Sequence, residues 1–136
     1  MSHYSEVQVE FRDKAALVAA LGRLGFGPDK LEVHQEAKAL YGYQGDKREQ
    51  QGQIIIRRQH VGMAANDIGF QQYSDGLYRA HISDFDRKEN GYNDSWLGKL
   101  KQSYGVEKAK AEAKKKGYRV TEEKQGDCRI RLVCRR

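Results

Sequence analysis

Hydrophobic and polar positions alternate cleanly at the start of the chain. Val7, Val9 and Phe11 fall on one side of an extended segment over residues 4–11, with Glu6, Gln8 and Glu10 on the other, the period-two signature of a half-buried strand. The period then changes. Leu17, Leu21 and Leu24 recur at helical spacing, Asp13 stands where an N-cap belongs and Gly25 where a helix stops, which predicts a helix over about 14–24. Residues 31–35 read as a short strand, the polar, turn-rich segment Gly42 to Gly52 as an exposed loop, and Ile54-Ile55-Ile56, apolar on both faces, as a central strand. Two alternating runs, Asp67 to Tyr73 and Leu77 to Ile82, flank Ser74-Asp75-Gly76, and an Asp-Gly turn between such runs predicts a hairpin.

Residues 84–93 are polar and read as irregular. A helix follows from about Asp94, with Leu97, Leu100 and Tyr104 on one stripe. Val106, Ala109 and Ala113 continue that stripe out of phase, so Gly105 is expected to kink or break the helix, and Gly117 to end it. Tyr118 to Glu123, a Gly126-Asp127 turn, and Cys128 to Arg135 predict a second hairpin. Leu24-Gly25-Phe26 and Lys116-Gly117-Tyr118 each close a helix ahead of two strands, an αββ repeat that suggests two related halves sharing one antiparallel sheet. The fold class is therefore α+β: a single domain over residues 1–136, with an antiparallel sheet and two main helices on one face.

Composition narrows the function classes. The 136 residues are 32% charged, and no run approaches the roughly 20 apolar residues of a membrane helix. The opening residues carry neither a basic nor an apolar signal region, so export is not expected and a cytoplasmic site is. Net charge is +6 but lopsided: residues 99–136 hold 13 basic and 5 acidic residues, net +8, and residues 1–98 hold 12 and 14, net −2. That asymmetry suits either an anionic partner or a lysine-rich face that keeps a small protein in solution.

Cys128 and Cys134, six residues apart on one predicted strand, would lie about 20 Å apart and cannot bridge. They read as small core residues in a reducing compartment. Neither the residues near Gly42-Tyr43-Gln44-Gly45-Asp46-Lys47 nor His3, His34, His60 and His81 offer the spacing of a phosphate loop or a zinc site. Asp84 and Asp86 suit solvation or helix capping rather than paired acid–base work, and His81 a surface or lightly buried position. With no nucleophile beside a base, the chain reads as a non-catalytic protein that needs no cofactor.

Binding has better support. The last strand turns Arg129, Arg131 and Arg135 to one side, and the preceding helix adds Lys108, Lys114, Lys115 and Lys116. Such a surface could track a phosphate backbone, although the same arginines could pair with Glu123 and neighbouring acids. Trp96 suits a core position better than a partner anchor.

Several segments in order resemble an uncharacterised family of cyanobacteria, plastids and other bacteria labelled "hypothetical chloroplast reading frame thirty-five". They are Met1-Ser2-His3-Tyr4-Ser5, Asp67-Ile68-Gly69-Phe70, Asp75-Gly76-Leu77-Tyr78, Leu97 through Tyr104, Gly117-Tyr118-Arg119-Val120 and Arg129-Ile130-Arg131-Leu132-Val133. Gly105 and residues 36–52 depart from that pattern. The resemblance implies a small accessory protein, sometimes encoded beside an AAA-type ATPase, and a stromal location if the chain is plastid-encoded. The expectation is an accessory or adaptor protein within a larger assembly; the alternative is a nucleic-acid or ribonucleoprotein binder acting through the basic C-terminal third.

Overall fold

The computed structural model describes residues 3–125 and 129–136. In chain order the elements are β1 (Tyr4–Phe11), α1 (Lys14–Arg23), β2 (Glu32–Tyr41), β3 (Lys47–Ile56), α2 (Arg58–Val61), β4 (Ile68–Gln72), β5 (Tyr78–Ser83), α3 (Asp84–Glu89), α4 (Asp94–Lys115), β6 (Arg119–Gln125) and β7 (Arg129–Arg135). The α+β class and the antiparallel pairing are as expected. The sheet is not shared, however. Five strands form one sheet in the order β1-β5-β4-β3-β2, and β6 pairs only with β7 in a second, two-stranded sheet.

One face of the larger sheet carries Val7, Val9, Phe11, Ile54, Ile56, Ile68, Phe70, Tyr78, Ala80 and Ile82. Leu17, Ala20 and Leu21 of α1 and Leu97 and Leu100 of α4 complete this core, and α1 packs along α4. Asp13 caps α1, its carboxylate accepting the Ala16 amide at 3.0 Å. Asn93, rather than Asp94, caps α4 through the Trp96 amide. The Tyr104 hydroxyl accepts the amides of Arg12 and Asp13, tying α4 to the β1–α1 corner, while its ring meets Phe11 edge-on. Trp96 packs into the core margin, edge-on to Tyr92 and Phe26.

Both main helices end the same way. Gly25 has φ 101° and Gly117 φ 83°, and the following aromatic amide reaches back to the helix, Phe26 to the Leu21 carbonyl and Tyr118 to the Ala113 carbonyl, each at 3.0 Å. These are paired Schellman closures, so the repeat exists as a local helix–glycine–aromatic–hairpin unit, and only the common sheet is missing.

Four further expectations are corrected. β2 runs to Tyr41 and β3 begins at Lys47, so only residues 42–46 turn. The Gly42–Asp46 turn joins two strands and does not open a helix, as a phosphate loop would. Residues 84–89 form a helix because the Ser83 hydroxyl accepts the Asp86 amide at its start. α4 passes through Gly105 unbroken; that position is exposed and the space around it is open, so nothing forces a bend. Ala109 faces solvent, whereas Val106 and Ala113 are buried.

The second face of the large sheet explains the uniform burial of the isoleucine triplet. Ile55 lies opposite Gly69, and β2 bends across so that the Leu40 side chain sits directly over Gly69. β3 is thus an interior strand covered on both sides.

Candidate anionic-partner surface

α4, at 22 residues, is about 33 Å long at 1.5 Å per residue and leads through Gly117 into the β6–β7 hairpin. The hairpin's inner face offers Val120, Ile130 and Leu132, all half-buried, and one acid, Glu122. Glu122 takes both guanidinium nitrogens of Arg23 at 2.7 and 2.9 Å and the Lys110 ammonium at 2.9 Å, so it fastens the hairpin to α1 and α4 at once. The Arg23 hydrogen bonds, then that of Lys110, hold its carboxyl at about 2, well below the usual carboxylate range. A carboxyl depressed when folded gives stability above the ordinary value near 4.5 that is lost as pH falls towards 2. The protection factors of the β6–β7 amides, taken against the intrinsic exchange rate at each pH, should therefore fall through that window, and in Glu122→Gln they should be low already at neutral pH. Protection that is insensitive to both changes would show that the apolar contacts alone hold the hairpin.

On the outer face, the register places Arg119 opposite Arg135, Thr121 opposite Val133, Glu123 opposite Arg131 and Gln125 opposite Arg129. Val133 is half-buried and the other seven are exposed. Like charges directly opposite one another on a sheet are destabilising, yet Arg119 and Arg135 stand so with no carboxylate partner among the described residues. Arg131 has a long contact of 3.9 Å to Glu123. The face thus carries four arginines against one acid.

The expected residues divide. Arg129, Arg131 and Arg135 come together here, and Lys114, Lys115 and Lys116 are exposed at the end of α4, one short turn before Arg119. Lys108 does not join them; its ammonium lies 3.8 Å from Asp13, the α1 cap. Arg119 was missing from the expected set. Its membership follows from strand alternation once the register of β6 on β7 is known. Cys134 is exposed rather than a core residue, because it lies on the inner face at the hairpin's open end, opposite Val120. Cys128 and the Gly126-Asp127 turn lie outside the described residues. Arg136 stacks on Tyr118, its guanidinium carbon 5.1 Å from the ring centroid.

The interior holds a different polar constellation. Asp86, expected in a polar loop as a solvated or helix-capping acid, is fully buried in the first turn of α3 and accepts from the Asn66 amide at 3.0 Å, the Ser83 hydroxyl at 2.7 Å and the Asn90 side chain at 2.8 Å. Asp67 accepts from the Tyr41 and Arg58 amides and from Arg57. Arg57 also forks onto Glu32, and these hydrogen bonds hold the Glu32 carboxyl at about 2. The donors around both buried acids belong to loops and strand ends, so this network joins chain segments. His81, also buried, bonds Gln71 at 2.9 Å, and burial holds its imidazole below the usual value.

A helix-covered antiparallel sheet, with a separate two-stranded, arginine-faced hairpin packed on α4, defines an α+β protein. The family model described as protein of unknown function (DUF1257) matches residues 20–133, from within α1 to β7, and the chain belongs to that family. No curated protein and no solved structure matches it.

Proposed function

We propose that this is a non-catalytic accessory protein that docks onto an anionic surface of a larger assembly through the outer face of β6–β7. The observation that supports this most is the facing pair Arg119 and Arg135, which costs folding stability and has no carboxylate partner among the described residues. An anion lying between them would remove that cost. The anchoring of the hairpin by Glu122 fixes the arginines relative to the body, so binding would not first have to order them. The resemblance to the plastid and cyanobacterial family points to an AAA-type ATPase as the first assembly to test, in the cytoplasm or the stroma.

The test is recovery of stoichiometric partners from the native lysate by the tagged protein and by its R119E/R135E variant. Recovery at low salt by the parent, lost in the variant and fading as salt screens the charges, is the expected result. Equal recovery by both proteins would overturn the assignment of this face.

A further inference from the structure

We infer that the anion recognised by the β6–β7 face is the phosphodiester backbone of a double-stranded nucleic acid, gripped without regard to base sequence; this rests on the docking reading above. Three features of the surface favour this partner, two of them over an acidic protein and the third over a single strand. The first is its shape. From Arg129 to Arg135 the row of guanidinium groups runs about 20 Å along one strand, the length of about six base-pair steps at 3.4 Å each. Lys114, Lys115 and Lys116, exposed at the end of α4, add positive charge a short way ahead of Arg119, across the tight Gly117 closure. A row of charges suits a polymer of repeating charge, and the planar arginine fork matches the oxygens of a phosphate.

The second feature is the lack of an apolar anchor. Among the eight outer-face residues, Val133 is the one apolar side chain, and it is half-buried. Protein–protein affinity concentrates in buried aromatic and aliphatic anchors, whereas nucleic-acid interfaces are more polar and more positively charged. The third feature is the lack of an aromatic on that face. Single-strand binders stack bases on exposed rings. Tyr118, next to the face, is half-buried and already covered by Arg136. What is left is contact with the backbone, and a two-stranded antiparallel ribbon is one of the elements a duplex groove admits.

The experiment uses the full chain with fluorescently labelled 20-base-pair duplexes of two unrelated sequences, as DNA and as RNA, titrated at several salt concentrations. Similar affinity for the two sequences is expected, with log Kobs falling against log salt at a slope of about −4. Substituting R119Q/R135Q should flatten the slope by about 2, one phosphate for each arginine. The charge reversal R119E/R135E should weaken binding more than tenfold while the thermal melt is little changed, because one facing like-charge pair replaces another. Binding of DNA, of RNA or of both supports the inference and names the source of the backbone. Absence of binding at the lowest salt, a clear single-strand preference, or binding indifferent to R119E/R135E overturns it. If duplexes fail but a lysate partner survives nuclease and is lost in R119E/R135E, the docking reading stands and its partner is an acidic protein; if both fail, the hairpin face has neither role.

Discussion

Replacing Asp67 with alanine is expected to cost about 3 kcal/mol of folding stability, the lower end of the range for removing one partner of a buried ion pair. The carboxylate is 1% exposed and accepts three hydrogen bonds, from the Tyr41 amide at 2.8 Å, the Arg58 amide at 2.7 Å and Arg57 Nη1 at 2.8 Å. The backbone of the same residue donates to the Tyr41 carbonyl and accepts from the Tyr4 hydroxyl. One side chain therefore joins the end of β2 to the β3–α2 corner, and its backbone reaches β1. Alanine would leave two amides without acceptors and remove one of the two carboxylates paired with Arg57. The cost stays near the lower end because Arg57 keeps both bonds to Glu32 and is 22% exposed. Glu32→Ala, removing a carboxylate that is 40% exposed, should cost less than about 1 kcal/mol. Urea unfolding of the two variants decides the matter. Equal losses would mean that the corner is held by packing and not by the buried carboxylate. Since whole domains carry about 5–15 kcal/mol, the Asp67 variant should also melt at visibly lower temperature.

The same residue shows what kind of information the sequence carries. Segments whose order is local were legible: β1 through its alternation, α1 through Asp13 and Gly25, and the β4–β5 hairpin through Asp75-Gly76. In that hairpin Gly76 adopts φ 83° and the Leu77 amide bonds the Asp75 carboxylate, as such a turn requires. Segments ordered by distant partners were not. β3 opens with Lys47-Arg48-Glu49-Gln50-Gln51, which has no hydrophobic period because this end of the strand lies largely in solvent and is held by its amides pairing with β2. Asp86 looks like a solvated acid until Asn66, twenty residues upstream, is placed against it.

The candidate surface divides along the same line. Arg129, Arg131 and Arg135 are read from the alternation of one strand. Arg119 needs the pairing of two strands, and the removal of Lys108 from the group needs the approach of α4 to the α1 cap. The shared sheet is missing because the hairpin finds other partners. An added strand would have to pair with an edge strand, β1 or β2. β6–β7 instead settles against α1 and α4 through Glu122, side-chain contacts between distant segments that no local pattern reveals.

Gly69 and Leu40 provide the sharpest test of how the sheet's second face is packed. A Cβ at Gly69 would lie 2.8 and 2.9 Å from the two Leu40 methyl carbons, and Leu40 is fully buried. Gly69→Ala is therefore expected to cost about 1–3 kcal/mol through overpacking. Leu40→Ala, which empties the space above the strand, is expected to cost about 2–5 kcal/mol. The two losses should not add. In the double variant the new methyl group enters part of the volume that Leu40 vacated, so the interaction term should offset the sum by about 0.5–3 kcal/mol. Denaturant unfolding of the four proteins closes this cycle. Strict additivity would mean that β2 does not lie over β4 in solution, and the bend that brings Leu40 onto Gly69 would have to be abandoned. A strong positive coupling would establish that bend as the reason Ile55 is buried and position 69 is a glycine. It would also account for β2 continuing to Tyr41, because the Leu40 contact and the Tyr41–Asp67 bonds act on consecutive residues of the same strand end.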